Sequence, residues 1–204
     1  MKKFELTTEF ITNALGKKLF RIKALVEFGS VKAGELGGYV EKEGNVSQDD
    51  NAWVSGDAEV FGNAKVSGNA KVFGNAKVFG DALVFGRALV FGDAKVSDNA
   101  WVFGNARVSG DALISGNAKV SGDARVYDNA DYALVQGFGI KFRCTTFYRG
   151  KNEKIMVNCG CFHGDLEEFR KQVKETRSGK IAKEYLMIAG LMEYHFASED
   201  SSNE

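Results

Sequence analysis

Three cysteines and two histidines supply the soft metal ligands, nucleophiles and neutral-pH bases of this 204-residue chain. Cys159, Cys161 and His163 alternate along one extended stretch, and Cys144 lies in the stretch that would pair with it. That set would suit a metal, but Cys-x-Cys-x-His lacks the two-to-four-residue gaps of common structural zinc sites. The run Ile155, Val157, Cys159, Cys161 reads more simply as one strand face packed on helices, where free cysteine behaves as a small apolar residue. His163 stands beside a turn and reads as a hydrogen-bonded surface histidine. Acid–base catalysis needs a group that ionises near neutrality, and both His163 and His195 fall outside the long central region of the chain. From these residues we expect no bound metal, no cofactor and no catalytic centre.

The central region must position whatever the protein does. From Asn51 to Leu134 one six-residue phrase recurs fourteen times, opening NAWVSG, DAEVFG, NAKVSG and closing DARVYD, NADYAL. A period this strict marks a repeat architecture. Ala and Val stand two apart in each phrase, as at Ala52 and Val54 or Ala58 and Val60, so in an extended chain both point to one face, the interior. The residue between them and the one after Val point outward. Gly followed by Asn or Asp tolerates the positive φ that a sharp corner demands. Short strand and corner then alternate, closing into three-sided coils of about 18 residues stacked as a parallel β-helix.

The phrase V-x-G-[ND]-A-x resembles the hexapeptide repeat of left-handed parallel β-helix proteins, an aliphatic residue with a small one four positions later. Val54 with Ala58 and Val60 with Ala64 carry it. The resemblance implies a left-handed helix with three hexads per coil and between four and five coils. Two longer stretches, RIKALVEFGSVKAGELGGYVEKEGNVSQDDNAWVSGDA and CGCFHGDLEEFRKQVKETRSGKIAKEYL, are similar to the opening and tail of hexapeptide-repeat proteins of bacteria, phages and prophages. Some of those are labelled transferases and some polymer-forming. That resemblance implies a phage or prophage origin and transfers no activity. Hexapeptide acyltransferases share the coil, act as trimers and place a catalytic histidine near a subunit boundary, often beside a loop thrown out between coils. This coil contains no histidine and its hexads run without such a loop. A non-enzymatic binding or scaffold protein is therefore the preferred expectation, one able to inhibit a host defence factor by occupying it, and a trimeric acyltransferase is the alternative.

Residues 18 apart share an outward column, so Lys65, Leu83, Trp101 and Lys119 form one and Ser67, Phe85, Phe103 and Ser121 its neighbour. Leu83, Phe85, Trp101 and Phe103 are thus expected to make an apolar patch, with Arg87 at the adjoining corner and Leu89 and Phe91 continuing it. Exposed patches of a few hundred Å² generally mark interfaces. Stacked phenylalanine ladders would explain Phe61 with Phe79 and Phe73 with Phe91 equally well. They leave Leu83, Leu89 and Trp101 unexplained, because Lys or Arg is usual at those positions. We expect self-association into a dimer or trimer, a host-protein partner, or both. Basic columns also exist, Lys71 with Arg107 and Arg125, and Lys77 with Lys95. Corner aspartates offset them, and Lys plus Arg equals Asp plus Glu at 27 each, so no nucleic-acid partner is expected.

The flanks differ in texture. Residues 1–48 are expected to form a strand-rich cap, with FELTTEFI and KLFRIKALVEF paired around a turn at Asn13–Lys18 and covering the first coil. Val46 and Val54 are eight apart rather than six, so degenerate rungs should begin near Gly38. The repeats occupy 49–135. Residues 136–204 are expected to form a ββαα module, with strands in IKFRCTTFYR and KIMVNCGCF turning at Gly150–Lys154. The first helix should open on Asp165 with Glu168 three later, bury Leu166, Phe169 and Val173, and end at Gly179. The second, about 181–196, puts Ile181, Tyr185, Ile188 and Met192 on one stripe. The fold class is then mainly β, a left-handed parallel β-helix between a β cap and a ββαα module. No run approaches the roughly 18 apolar residues of a membrane span, so no membrane partner is expected. The absence of an apolar leader points to the cytoplasm of a bacterial host, with reduced thiols.

Overall fold

A computed structural model describes residues 2–139 and 143–197. Three strands, β1 (Phe4–Thr12), β2 (Lys18–Ala24) and β3 (Leu36–Val40), lead into a parallel β-solenoid. Its strands are two residues each, running from β4 (Trp53–Val54) to β16 (Arg125–Val126), thirteen among the described residues. They stack in parallel on three faces, with Val54 beside Val72, Val60 beside Val78 and Val66 beside Val84. Every repeat alanine and valine of this stretch is no more than 1% exposed, so a small and a branched side chain alternate up a dry axis.

The corners decide the shape. Glycines from Gly56 to Gly122 turn the chain at φ between +59° and +74°. From Gly56 to Gly104 the residue after each corner glycine donates its N–H to a corner carbonyl one coil on, as Asp57 to Gly74 at 2.9 Å and Asn63 to Gly80 at 2.8 Å. Their side chains form a ladder of their own, Asn63 Nδ2 donating to Asp81 at 3.1 Å and Asn75 Nδ2 to Asp93 at 3.0 Å. At Gly86 a Cβ would sit 2.9 Å from the Gly104 nitrogen, so stacking forbids a side chain there as firmly as φ does.

The first coil starts ahead of the strict repeats. Tyr39 and Val40 pair in parallel with Glu59 and Val60, and Val46 bridges to Val66. Later rungs recur after 18 residues, as Asn51 over Asn69, so this coil is two residues longer, the excess lying between Val46 and Val54. The chain thus enters the solenoid inside the 1–48 segment. Antiparallel pairing of β1 with β2 and β2 with β3 extends one face into a seven-stranded sheet. The cap also overlies the outside of the first coils. Trp53, Glu59 and Phe61 occupy outward positions yet are 3%, 7% and 4% exposed, because Phe4 and Phe28 set their ring edges on Trp53 while Leu19 and Tyr39 cover Phe61. Buried Lys3 ties the start down, its Nζ donating to the Asp50 carbonyl at 2.8 Å and that of Ala52 at 2.9 Å.

Beyond the coil the module is sheet then helices, with two more strands than a ββαα plan contains. β17 (Tyr132–Phe138), β18 (Arg143–Arg149), β19 (Ile155–Cys159) and β20 (Phe162–Asp165) form one antiparallel sheet, followed by α1 (Leu166–Thr176) and α2 (Gly179–Phe196). The phrase NADYAL leaves the coil because Tyr132 stands where every earlier phrase has valine or isoleucine. Asn129–Asp131 make a single 3-10 turn there, and the chain enters β17. Asp165 caps α1, its Oδ1 accepting from Glu168 N at 2.9 Å while Glu168 Oε2 accepts from Asp165 N at the same distance. Gly179, expected to end α1, opens α2 at φ +58°, and α1 stops at Thr176. Part of the stretch expected to begin the first strand, residues 140–142, lies outside the described residues.

Two stability tests follow from this geometry. Gly16 turns at φ +73° with open space around it, so Gly16→Ala carries only the left-handed strain, about 1–2 kcal/mol. Gly86→Ala adds main-chain overlap, and urea denaturation should show it losing at least about 1 kcal/mol more than Gly16→Ala. Glu41 supplies the second. Its Oε1 accepts from Lys17 Nζ at 2.8 Å and its Oε2 from Gly62 N at 2.6 Å, and these bonds, Lys17 foremost, hold its carboxyl below the usual range. A folded value below the unfolded one stabilises above the unfolded pKa and is lost as pH falls through the folded one. Below about pH 4.3, the ordinary glutamate value, melting midpoints of the wild type should therefore fall toward those of Glu41→Gln, with the gap largest at neutrality.

Candidate functional site

On one solenoid face Lys65 lies beside Leu83, Leu83 beside Trp101 and Trp101 beside Lys119. Phe85 and Phe103 stack 4.9 Å apart and within 2° of parallel along the bordering corner, and Trp101 sets its edge on Phe85 at 6.2 Å. Leu83, Phe85, Trp101 and Phe103 are thus one apolar patch, and the Lys119 ammonium sits 4.5 Å from the Trp101 ring. Trp101 is 36% exposed. Arg87 occupies the corner between Asn69 and Asn105, breaking the amide ladder with an exposed cation. Past that corner Leu89 lies on the next face between Lys71 and Arg107, and Phe91 stacks on Phe73 at 4.9 Å. The seven residues singled out in the sequence therefore fall on two faces divided by Arg87.

Both phenylalanine pairs expected as ladders stack, Phe61 on Phe79 at 5.1 Å and Phe73 on Phe91, and Phe85 with Phe103 makes a third. Ladder stiffening accounts for the phenylalanines, one pair on each corner column. It does not account for Leu83 and Trp101, which take the place of lysine on a wet face. An open concavity of about 590 Å³ adjoins them, walled on one side by the 43–49 segment and on the other by Lys65, Ser67, Leu83 and Phe85. The two extra residues of the first coil fall beside this wall. Its lining combines Val46, Leu83 and Phe85 with Glu43, Asp49 and Lys65, a composition suited to an apolar side chain with polar main chain around it. The eight-residue gap from Val46 to Val54 was the visible sign of it.

The cysteines separate. Cys159 faces the helices together with Ile155 and Val157, as the alternation requires. Cys161 does not share that face; it is exposed in the turn before β20. Cys144 lies on the opposite side of its sheet, its Sγ donating to the Asn117 carbonyl at 3.3 Å, and burial pushes its thiol pKa up. Among the described residues no three of His, Cys, Asp and Glu are grouped to hold a metal ion.

A polar cluster that the sequence reading missed closes the far end of the coil. Asn158 Nδ2 donates to the Lys119 carbonyl at 2.7 Å and shares its second proton between Ser121 Oγ at 3.0 Å and Tyr148 Oη at 3.1 Å. Its Oδ1 is 2.8 Å from His163 Nδ1, which places the imidazole proton on that nitrogen. Thr146 Oγ1 accepts from Lys119 N at 2.9 Å, and Tyr148 fills the core beneath, its hydroxyl pKa raised by burial. Ser, His and Asn in contact resemble a nucleophilic site, but Asn158 and Thr146 are satisfying strand groups that a further rung would otherwise bind. Strand alternation could have shown it, since Cys144, Thr146 and Tyr148 share the face opposite Phe147. His195 is exposed near the end of α2, with its ring against Phe196 at 4.9 Å.

The chain matches no protein-family model, and no curated protein matches it. Asn158→Leu would strand the Lys119 carbonyl and the His163 donor. Its expected cost is about 2 kcal/mol by denaturant titration, with faster amide exchange in the last coil, whereas His163→Ala should cost less because that ring is exposed.

Proposed function

We propose that this is a non-enzymatic binding or scaffold protein that meets its partner through Leu83, Phe85, Trp101 and Phe103 and the concavity beside them. The observation that carries the reading is Leu83 and Trp101 standing in register between Lys65 and Lys119. The fold does not need them, because the strand hydrogen bonds are main-chain and the interior is alanine and valine. A large apolar side chain kept at an outward rung lowers solubility without stabilising the coil, which is the usual signature of a contact surface. Trp101 is the central anchor and Lys119 and Lys65 form a charged rim, the arrangement typical of protein interfaces. The similarity of both flanks to phage and prophage hexapeptide-repeat proteins supports a phage- or prophage-encoded protein acting in the bacterial cytoplasm. A host protein, a defence component among them, is the partner in keeping with that origin. His163 commits its Nδ1 to Asn158 at the solenoid end, so no observation favours the trimeric acyltransferase over binding.

Burying a large apolar side chain contributes about 1.5–3 kcal/mol, so replacing both Leu83 and Trp101 with Lys should weaken association by two orders of magnitude or more. Capture from infected-cell lysate and light-scattering mass are the readouts, with the melting midpoint nearly unchanged. Capture and mass that both match the wild type would overturn the proposal and leave the ladders as the whole account of the aromatic residues.

A further inference from the structure

The outward column of the contact face reads cation, apolar, apolar, cation, with Lys65, Leu83, Trp101 and Lys119 one rung apart. Arg87 adds an exposed cation at the corner beyond Phe85. Among the described residues none of these three cations has a carboxylate within ion-pair distance, whereas on the next face Lys77 reaches Glu59 one rung away at 2.6 Å. The carboxylates around the patch have partners of their own. Asp81 and Asp123 accept from Asn63 and Asn105 in the corner ladder, Glu43 pairs with Lys2, and Asp49 acts on buried Lys3. The main chain of this face offers nothing to a visiting strand, because its amides are bonded from rung to rung, as Lys65 N to Ala82 O and Leu83 N to Ala100 O, both at 2.9 Å.

We propose that this face takes one amphipathic helix of a different protein, laid along the solenoid axis, with two apolar residues flanked on each side by an acidic one. This rests on the contact-surface reading above and names its partner. Rungs repeat at about 4.8 Å, so the four outward positions span about 14.4 Å. A helix rising about 1.5 Å per residue sets positions i, i+3, i+7 and i+10 on one stripe at about 0, 4.5, 10.5 and 15 Å, within about 1 Å of the four rungs. An extended chain repeats its face about every 6.8 Å, so between the two lysines it offers one side chain where this face has two. Charge rejects a second copy as the occupant. A two-fold axis normal to the face would set Lys65 of one copy on Lys119 of the other, and a copy lying in the same direction would set each lysine on its twin, both of which are destabilising. Acidic ends answer both cations instead. The first apolar side chain then enters the concavity beside Leu83 and Phe85, and the second packs on Trp101. Because these ion pairs lie at the rim, they govern encounter and selectivity more than total affinity.

The test is selection from a displayed library of helical hairpins with one exposed stripe randomised, run on the wild type, on Lys65→Glu with Lys119→Glu, and on Leu83→Lys with Trp101→Lys. The wild type should enrich helices with Asp or Glu at i and i+10 and apolar residues at i+3 and i+7. The charge-reversed chain should enrich Lys or Arg at the two outer positions and bind the wild-type selectants about ten-fold or more weakly. Its melting midpoint should match the wild type, since Glu59 already occupies that position of the repeat. Selectants without the acidic pair, selectants bound equally by the charge-reversed chain, or no enriched helix on the wild type would overturn the inference and leave Leu83 and Trp101 as a contact surface for something else. A light-scattering mass that doubles for the wild type but not for the Leu83 and Trp101 variant would overturn it in favour of a second copy. Selectants that bind that variant as tightly as the wild type would remove the contact-surface reading and the inference together.

Discussion

The chain closes its coils because it returns, one circuit on, to hydrogen-bond to itself. Leu83 N donates to Ala100 O at 2.9 Å, Phe85 N to Val102 O at 3.0 Å and Arg87 N to Gly104 O at 2.7 Å, and each coil repeats the scheme. Since main chain carries the stack and alanine and valine carry the interior, the outward side chain between them takes no part in closing the coil wherever the cap does not cover it. Lys, Glu, Leu, Trp and Arg all occupy the same outward position on successive rungs. A surface of this kind is a rigid grid whose contents can be chosen for contact alone, with spacing set by the strands at about 4.8 Å.

Such a grid has two open ends, and both are closed by borrowing the same chemistry. At the start, the Asn45 side chain donates to the carbonyls of Ala64 at 2.8 Å and Gly62 at 3.2 Å, as a strand amide would. At the finish, Asn158 does so for the Lys119 carbonyl. An aromatic ring joins the solenoid's core cluster from each flank, Phe4 from the N-terminal strands and Tyr148 from the C-terminal sheet, both fully buried. Exposed sheet edges invite pairing with other chains, and a side-chain amide meets the last strand's needs without presenting a new edge.

What the sequence made legible follows from where each constraint is written. Interior, corners and outward columns are spelled out every six residues, so the coil and the Leu83–Trp101 column could be read directly. The Asp165 cap and its buried Leu166, Phe169 and Val173 were equally local. Cover supplied from a distance was not legible. Nothing near Trp53 or Phe61 announces that the N-terminal strands lie over them, and the corner at Arg87 separates Leu89 from Leu83 only once the three faces are assembled. The polar cluster escaped notice because Ser121, Tyr148, Asn158 and His163 come from four separate stretches.

The repeat also has an arithmetic that bears on how the molecule can change. Gaining or losing 18 residues would lengthen or shorten the coil by one strand spacing, about 4.8 Å, and return every later side chain to its own face. Gaining six would instead turn everything downstream by one side of the triangle, swinging the C-terminal module about 120° around the axis relative to the N-terminal cap. The longer first coil escapes this rule because its two extra residues are spent in the wall between Val46 and Val54, where Val66 and Val72 restore the register. Length and orientation are therefore separate heritable variables in this protein, the first altered by whole coils and the second by single hexads.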